Sequence, residues 1–383
     1  MQNKKIVICG ITGNIGQQTI EVCRKLKFKI VGCSYFNEHK LCKKIIKNNN
    51  IKHVLCCYDN EYGNCQSFTD LLKKSQPDLV VNAIVGFAGL QASIATLTAK
   101  IDLALANKES LVVAGYFIDK LAKKNHVKVL PIDSEHTSLM NLVLLANKPI
   151  NQLYITCSGG SFLTYSTQQK KSITWQQATK HPNWNMGEKI TIDSNTLLNK
   201  CFEIIEAYWY FHTKKINVLL DPTSNVHSAI MFDDGGLILS KCKSDMHYFI
   251  ALAINDFKSS KAMKSMQENA KKTNNLALMD KKILPLKWAY DVINDKTKSL
   301  GVILNAASEA ALYLFKTKKI SFDKIVSVIN FALLTNKPKK IARLIEIKKI
   351  YESVYANTIV FYCSQRKKSI KNLYEVFADN ENK

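Results

Sequence analysis

The chain has 383 residues, too long for one hydrophobic core, and its 46% hydrophobic and 22% charged residues mark it as globular rather than disordered. No run of about 18 apolar residues occurs, so no membrane association is expected. The formal net charge of +23 raises nucleic-acid binding as a rival function. However, the lysines are spread along the whole chain as doublets, and no basic run is interleaved with aromatics, so no nucleic-acid partner is expected; the excess positive charge would still attract phosphorylated metabolites.

The first residues, MQNKKIVICGITG, enter a strand and a glycine turn directly, which leaves no room for a targeting segment and predicts a cytoplasmic protein. The eleven cysteines lie mostly beside apolar neighbours, as in IVICG and TIVFYCS, and read as reduced thiols packed as small hydrophobes. No CxxC has a matching second pair, so no zinc site is expected.

From residue 4 to about 133, KIVICG, FKIVGCS, KHVLCCY, PDLVVNAIVG, IDLALA and VKVLPID read as strands, with helical spacing in segments such as NIGQQTIEVCRKL. This alternation predicts an α/β fold with a parallel, doubly wound, Rossmann-like sheet over residues 1–133. Between its first strand and helix stands Gly10-Ile-Thr12-Gly13-Asn14-Ile15-Gly16, a turn suited to a pyrophosphate on a helix N-terminus. The spacing is GxxGxxG rather than GxGxxG, so a turn without ligand is the alternative. The second strand ends in Ser34-Tyr35-Phe36-Asn37, with neither an acid for a free ribose nor an arginine for a 2′-phosphate, although His39 and Lys40 are close.

The sheet's last strand runs into PIDSEH. On an extended segment Asp133 and Glu135 point the same way and Ser134 elsewhere, so the two acids can converge on one cation. Oxygen ligands select Mg²⁺ or Mn²⁺ over zinc, but a solvated turn is the better account of two acids unless a third ligand exists.

Residues 134–258 mix strands (NQLYITC, NVLLDP, VHSAIMFDD, GLILSKC) and helices as an α+β domain. Ser158-Gly159-Gly160 offers a hydroxyl and backbone amides to a phosphate or oxyanion. His181-Pro-Asn-Trp184-Asn-Met186-Gly187 carries apolar area unusual for a surface turn and suits a lid. In DSNTLLNKCFEIIEAYWYF one helix is expected, with Ser194 as N-cap. Thr196, Asn199, Lys200, Glu203 and Glu206 share one face, opposite a core stripe of Leu197, Cys201, Ile204 and Tyr208. That face is either solvated or the source of the third carboxylate. Residues 259–300 are assigned to a linker, rich in Lys, Ser and Asn at its start, and 301–383 to a helical bundle.

GITGNIGQQT, NAIVGFAGL, LALANKESLVVAG, PIDSEH, SGGSF, KHPNWNMGEKITIDSNTLLNKCFEIIEA, SNVHSAI and NAASEAA fall in the order and spacing of the 1-deoxy-D-xylulose 5-phosphate reductoisomerase family, which the chain resembles from about residue 4 to 315. The resemblance implies conversion of 1-deoxy-D-xylulose 5-phosphate to 2-C-methyl-D-erythritol 4-phosphate, by skeletal rearrangement and then NADPH reduction, in a homodimer of isoprenoid-precursor biosynthesis. A divalent metal (Mn²⁺, Mg²⁺ or Co²⁺) would be held by Asp133, Glu135 and Glu203, which with His181 form the catalytic set. Ser134, Ser158, Ser194, Asn199, Lys200 and Glu203 would bind substrate, His181 and Trp184 would cover it, and Glu206 would support the site. Gly10, Thr12, Gly13, Asn14, Ile15, Asn37, Asn107, Lys108, Glu109 and Gly187 would contact NADPH. The chain departs from the family's pattern at Tyr35-Phe36, where a Gly-basic pair is usual, and at Asp221 and Phe249, where a His and nearby a Pro are usual. A homoserine- or semialdehyde-type dehydrogenase would need neither the DSE-plus-Glu203 set nor the lid, and an impaired nucleotide-binding paralogue would be expected to lack at least one of the three carboxylates, all of which are present.

Overall fold

The structure, a computed structural model, describes residues 4–58, 63–180, 187–258 and 276–364. The short β-branched runs at the start of the chain form β1 (Lys5–Cys9), β2 (Lys29–Tyr35), β3 (His53–Cys56), β4 (Leu79–Asn82), β5 (Asp102–Leu105) and β6 (Val129–Pro131). They are parallel in the order β3-β2-β1-β4-β5-β6. The intervening helices are α1 (Asn14–Leu26), α2 (His39–Asn49), α3 (Phe68–Ser75), α4 (Gly89–Thr98) and α5 (Lys108–Asn125). Along β1, Ile6 and Ile8 enter one core with Val22 of α1, while Val7 and Cys9 enter another with Leu71 of α3. Both faces of the sheet are therefore covered, which is why its strands read as continuous apolar runs. The strand order reverses between β1 and β4, and the crevice at that switch point is where such sheets bind ligands.

A second sheet combines β7 (Ile150–Cys157), β8 (Ile216–Leu220), β9 (Val226–Phe232), β10 (Leu237–Lys241) and β11 (Ala277–Leu278) in the order β10-β9-β7-β8-β11. The helices of this part of the chain are α6 (Ser134–Leu145), which lies against β7 and β9, then α7 (Thr167–Lys171), α8 (Trp175–Ala178), α9 (Glu188–Asn195), α10 (Leu198–Phe211) and α11 (Met246–Ile254). The C-terminal helices are α12 (Leu284–Asn294), α13 (Leu300–Lys316), α14 (Ile325–Thr335) and α15 (Leu344–Ser364). The α/β class and the doubly wound first sheet are as expected.

Two segments lie elsewhere than the sequence reading put them. The range 259–300 is not all linker: Ala277–Leu278 pairs with β8, and α12 buries Leu286, Trp288, Ala289 and Ile293 after a proline at its start. Those side chains join one core with β7, α10, α13 and α14, so the C-terminal helices share the central sheet's core. Helix α11, grouped by sequence with the central domain, instead sends Ile250 to Ile254 into the core of the first sheet, because its run HYFIALAI is apolar on every side.

Candidate active site

The glycine turn is built for close approach. Gly10 has φ +79°, and a Cβ there would lie 2.8 Å from the Ala83 carbonyl; a Cβ on Gly16 would lie 2.4 Å from the Gly10 carbonyl. Helix α1 starts at Asn14 with Gly13 as a cap that offers no side-chain acceptor, so its first amides are available to an anion. Two clefts flank this turn. Gly10, Thr12 and Gly13 line one of about 1690 Å³, which runs past Ser34, Phe36 and Tyr58. Asn14 and Ile15 line the other, of about 1070 Å³, which reaches Lys108, Asp133, Glu135, Lys200 and Glu203.

The opening of α6 corrects the geometry expected for PIDSEH. Strand β6 stops at Pro131, and Asp133 is the N-cap of α6, its Oδ1 accepting from the Glu135 amide at 3.3 Å. The acids converge because one caps the helix and the other sits in its first turn, where the helix dipole favours negative charge. Ser134 does not point away: its Oγ donates to Glu135 Oε2 at 2.6 Å and it lines the cleft.

The expected single helix from Ser194 is also interrupted. Ser194 lies within α9, and Leu197, at φ +59°, redirects the chain before α10 begins. Thr196 is taken out of the polar face, its hydroxyl donating to the Ile192 and Asp193 carbonyls. The remaining face is buried rather than solvated, with Lys200, Glu203 and Glu206 all under 4% exposed. The bend aims Asn199, Lys200 and Glu203 at the cap of α6.

Between these helices an ionic cluster forms. Lys108 Nζ, at the start of α5, donates to Asp133 Oδ2 at 2.5 Å, Asn199 Oδ1 at 2.8 Å and Glu203 Oε1 at 3.0 Å. Lys200 Nζ donates to Glu135 Oε1 at 3.2 Å and pairs with Glu203 Oε2. Behind the cluster, fully buried His136 places Nε2 2.8 Å from the Glu203 carbonyl oxygen and Nδ1 3.4 Å from Asp133 and 3.6 Å from Glu206. Against the opposing effect of burial, Lys108 holds Asp133 well below the ordinary carboxylate range, and Glu206 and Asp133 raise His136 to about 9. Burial pushes both Glu135 and Glu206 up to about 8. Burying this many ionisable groups at the end of a cleft contributes little net stability and marks a functional site.

The donor set fits a hard divalent cation. Ligand oxygens of Asp133, Glu135 and Glu203 lie within 4.8 Å of one another, and all three residues line the cleft. Asp133, His136 and Glu206 meet the same distance test, but neither His136 nor Glu206 lines the cleft.

Ser158, Gly159, Ser194, Asn199 and Lys200 line the same cleft as the carboxylates. Gly159 and Gly160 have φ of +81° and +74°, and the Gly160 amide donates to Ser158 Oγ at 3.2 Å. Asn195, which sequence reading passed over, shapes this loop: its Oδ1 accepts from the Ser161 amide at 2.6 Å and its Nδ2 donates to the Ala178 carbonyl. Ser224, Val226, His227 and Met246 also line the cleft. Burial pushes His227 down to about 4, so the ring is neutral. The two departures are accommodated here. Asp221 accepts from the Thr223, Asn225 and Val226 amides and the Thr223 hydroxyl, fixing the turn before β9, and Phe249 packs edge-on against His227 at 4.9 Å. His181, Trp184 and Met186 lie outside the described residues.

The Asn107-Lys108-Glu109 stretch opens α5 and sends its side chains to different partners. Lys108 belongs to the ionic cluster. Asn107 caps α5 and donates to the Ile84 and Gly86 carbonyls and to Glu109, while Glu109 pairs with Lys189 Nζ at 2.9 Å; neither lines a cleft. Lys189, also unremarked in sequence, stands two residues after Gly187, which does line the cleft, and pairs with Asp193 at 2.6 Å as well. Asn37 follows Phe36 at the end of β2 and does not line the outer cleft.

Comparison with known proteins agrees with this geometry. Family models described as 1-deoxy-D-xylulose 5-phosphate reductoisomerase match residues 6–115, and models of its C-terminal domains match 129–211 and 242–355. The reductoisomerase of Malacoplasma penetrans is 40% identical over 87% of this chain and 89% of its own. That of Mycoplasmoides gallisepticum is 34% identical over 92% and 97%. A crystal structure of DOX-P reductoisomerase in complex with NADPH, fosmidomycin and magnesium covers 96% of this chain and 100% of its own, at TM-score 0.84 and 27% identity. The Zymomonas mobilis reductoisomerase in complex with NADPH covers 94% and 99%, at TM-score 0.79 and 25% identity. On the turn, the carboxylate cluster and these matches together, the chain belongs to the 1-deoxy-D-xylulose 5-phosphate reductoisomerase family.

Proposed function

We propose that this protein converts 1-deoxy-D-xylulose 5-phosphate to 2-C-methyl-D-erythritol 4-phosphate, using NADPH and a divalent metal. The observation that carries the reading is the glycine turn standing between two clefts, one of which ends in three carboxylates. A dinucleotide with its pyrophosphate on the α1 amides would have room for adenosine in the outer cleft and for its nicotinamide in the cleft that holds the carboxylates.

Asp133, Glu135 and Glu203 would hold the metal, magnesium or manganese by donor type. When bound, it would act as a Lewis acid on the substrate's carbonyl and hydroxyl oxygens, stabilising charge that develops during rearrangement. Lys108, held well above the ordinary lysine range by Asp133 and Glu203 despite burial, would keep its proton and serve as a fixed hydrogen-bond donor to the substrate. Lys200, Ser158, Ser194 and Asn199 suit the phosphate, with the Gly159 and Gly160 backbone shaping the loop; Ser134 would contact substrate next to the metal. His181 and Trp184 would close over it. Lys189 joins Glu109 to Asp193, so the helix that follows the lid segment is tied to the dinucleotide half of the molecule.

We assign the enzyme to the cytoplasm, in keeping with its mostly buried cysteines, which form no disulfide, and to a homodimer. The edge strand β10 supports self-association, since it exposes Leu237 and Ile238. Family membership argues against a homoserine- or semialdehyde-type dehydrogenase. The test is loss of reduced-nicotinamide absorbance when purified protein meets 1-deoxy-D-xylulose 5-phosphate, Mg²⁺ or Mn²⁺ and NADPH. Oxidation that requires both substrate and metal is expected; no oxidation in complete mixtures would refute the reading.

A further inference from the structure

The outer cleft ends at two aromatic side chains left largely in water. Phe36, just past β2, is 58% exposed and Tyr58, just past β3, is 67% exposed; their ring centroids are 5.3 Å apart with planes at 72°. Single exposed rings are ordinary, but a pair at the mouth of a cleft continuous with a pyrophosphate turn calls for a flat ligand. Their positions are fixed by paired strands. β2 and β3 run in register from Gly32↔His53 to Tyr35↔Cys56, the Cys57 amide donates to the Tyr35 carbonyl at 2.9 Å, and Cys56 Sγ donates to the Phe36 carbonyl at 3.3 Å.

The polar side chains on the same walls, among them Thr12, Ser34, Gln66, Ser67 and Gln91, are neutral. No Lys, Arg, His, Asp or Glu is among the described residues that line this cleft. In doubly wound sheets the end of the second strand selects the cofactor, with an acid for a ribose diol or a cation for a 2′-phosphate. Phe36 occupies that place here and can do neither. His39, the nearby imidazole, is engaged with the Tyr35 hydroxyl at 3.0 Å.

We propose that Phe36 and Tyr58 hold the adenine ring of the dinucleotide by stacking, and that the enzyme consequently discriminates only weakly between NADPH and NADH. This rests on the dinucleotide reading above. The experiment measures kcat/KM for both cofactors at saturating substrate and Mg²⁺, and calorimetric Kd for both in parallel. The wild-type preference for NADPH should be about tenfold or less, the range left when no cation among the described residues lines the cleft to meet the extra phosphate. Phe36→Ala and Tyr58→Ala should each weaken both cofactors by the same factor, about tenfold, as loss of one stacking ring does. Phe36→Arg should restore a preference for NADPH of at least about tenfold beyond wild type. A wild-type preference above about a hundredfold, or a Phe36→Ala variant that binds both dinucleotides normally, would overturn the proposal. Binding of both cofactors without turnover of either would count against the assigned reaction and leave the calorimetric comparison to decide this one.

Discussion

The two ends of the dinucleotide crevice are built by opposite means. At the inner end Lys108 touches three acceptors, and Glu203 is held by Lys108, Asn199 and Lys200, all of them deeply buried or partly so. At the outer end two exposed rings and neutral side chains face the cleft. Where charge develops in the reaction, positions are over-determined by mutual pairing, which favours electrostatic stabilisation without reorganisation. Where a cofactor would only be gripped, apolar contact suffices.

Substitutions should expose that contrast. Asp133→Asn or Glu203→Gln should lower kcat by about a thousandfold or more, the scale of a lost Lewis acid, while Kd for NADPH stays near wild type. A matched loss of cofactor affinity would mean the two ends are not separable. Lys108→Met should lower kcat by about a hundredfold, since one preorganised donor is typically worth that much, and steady-state kinetics with NADPH binding measured in parallel will place the loss. If Lys108→Met acted mainly on cofactor affinity, the residue would belong to the dinucleotide after all. Asp221→Ala should cost about 2 kcal/mol of stability in denaturant titration, because it strands the amides of the turn before β9. Lys189→Met should raise KM for NADPH by about tenfold, with Lys189→Arg recovering most of it, if the Glu109 pairing transmits cofactor binding to α9. An equal effect in both variants would make Lys189 a packing residue only.

The parallel sheet was legible because its strands are short, β-branched and bounded by helical periodicity. The three clustered carboxylates were legible as a set but not in their geometry. Read as a strand end, Asp133 and Glu135 needed alternation to converge; an Asp just before the helical run SEHTSLMNLVLL, with an acid in its first turn, was the signal for a capped helix. The bend at Leu197 had no signal, since SNTLLNK contains neither glycine nor proline and helical spacing runs through it. Nor could the polar face of α10 be told from a solvated one until the partners of Glu203 were known. The place of Lys108 in the ionic cluster was hidden for a related reason: its acceptors lie 25, 91 and 95 residues away, where no local spacing reaches. The linker range hid α12 because a Lys- and Asn-rich lead-in masked the apolar stripe behind it.

The claim on which the account rests is that Asp133, Glu135 and Glu203 hold one divalent cation at the inner end of the crevice. Electron paramagnetic resonance of Mn²⁺ titrated into the protein with NADPH present tests it most directly. One bound Mn²⁺ per chain is predicted for the wild type, with binding lost in Asp133→Asn and Glu203→Gln. Wild-type affinity for Mn²⁺ in either folded variant would contradict it.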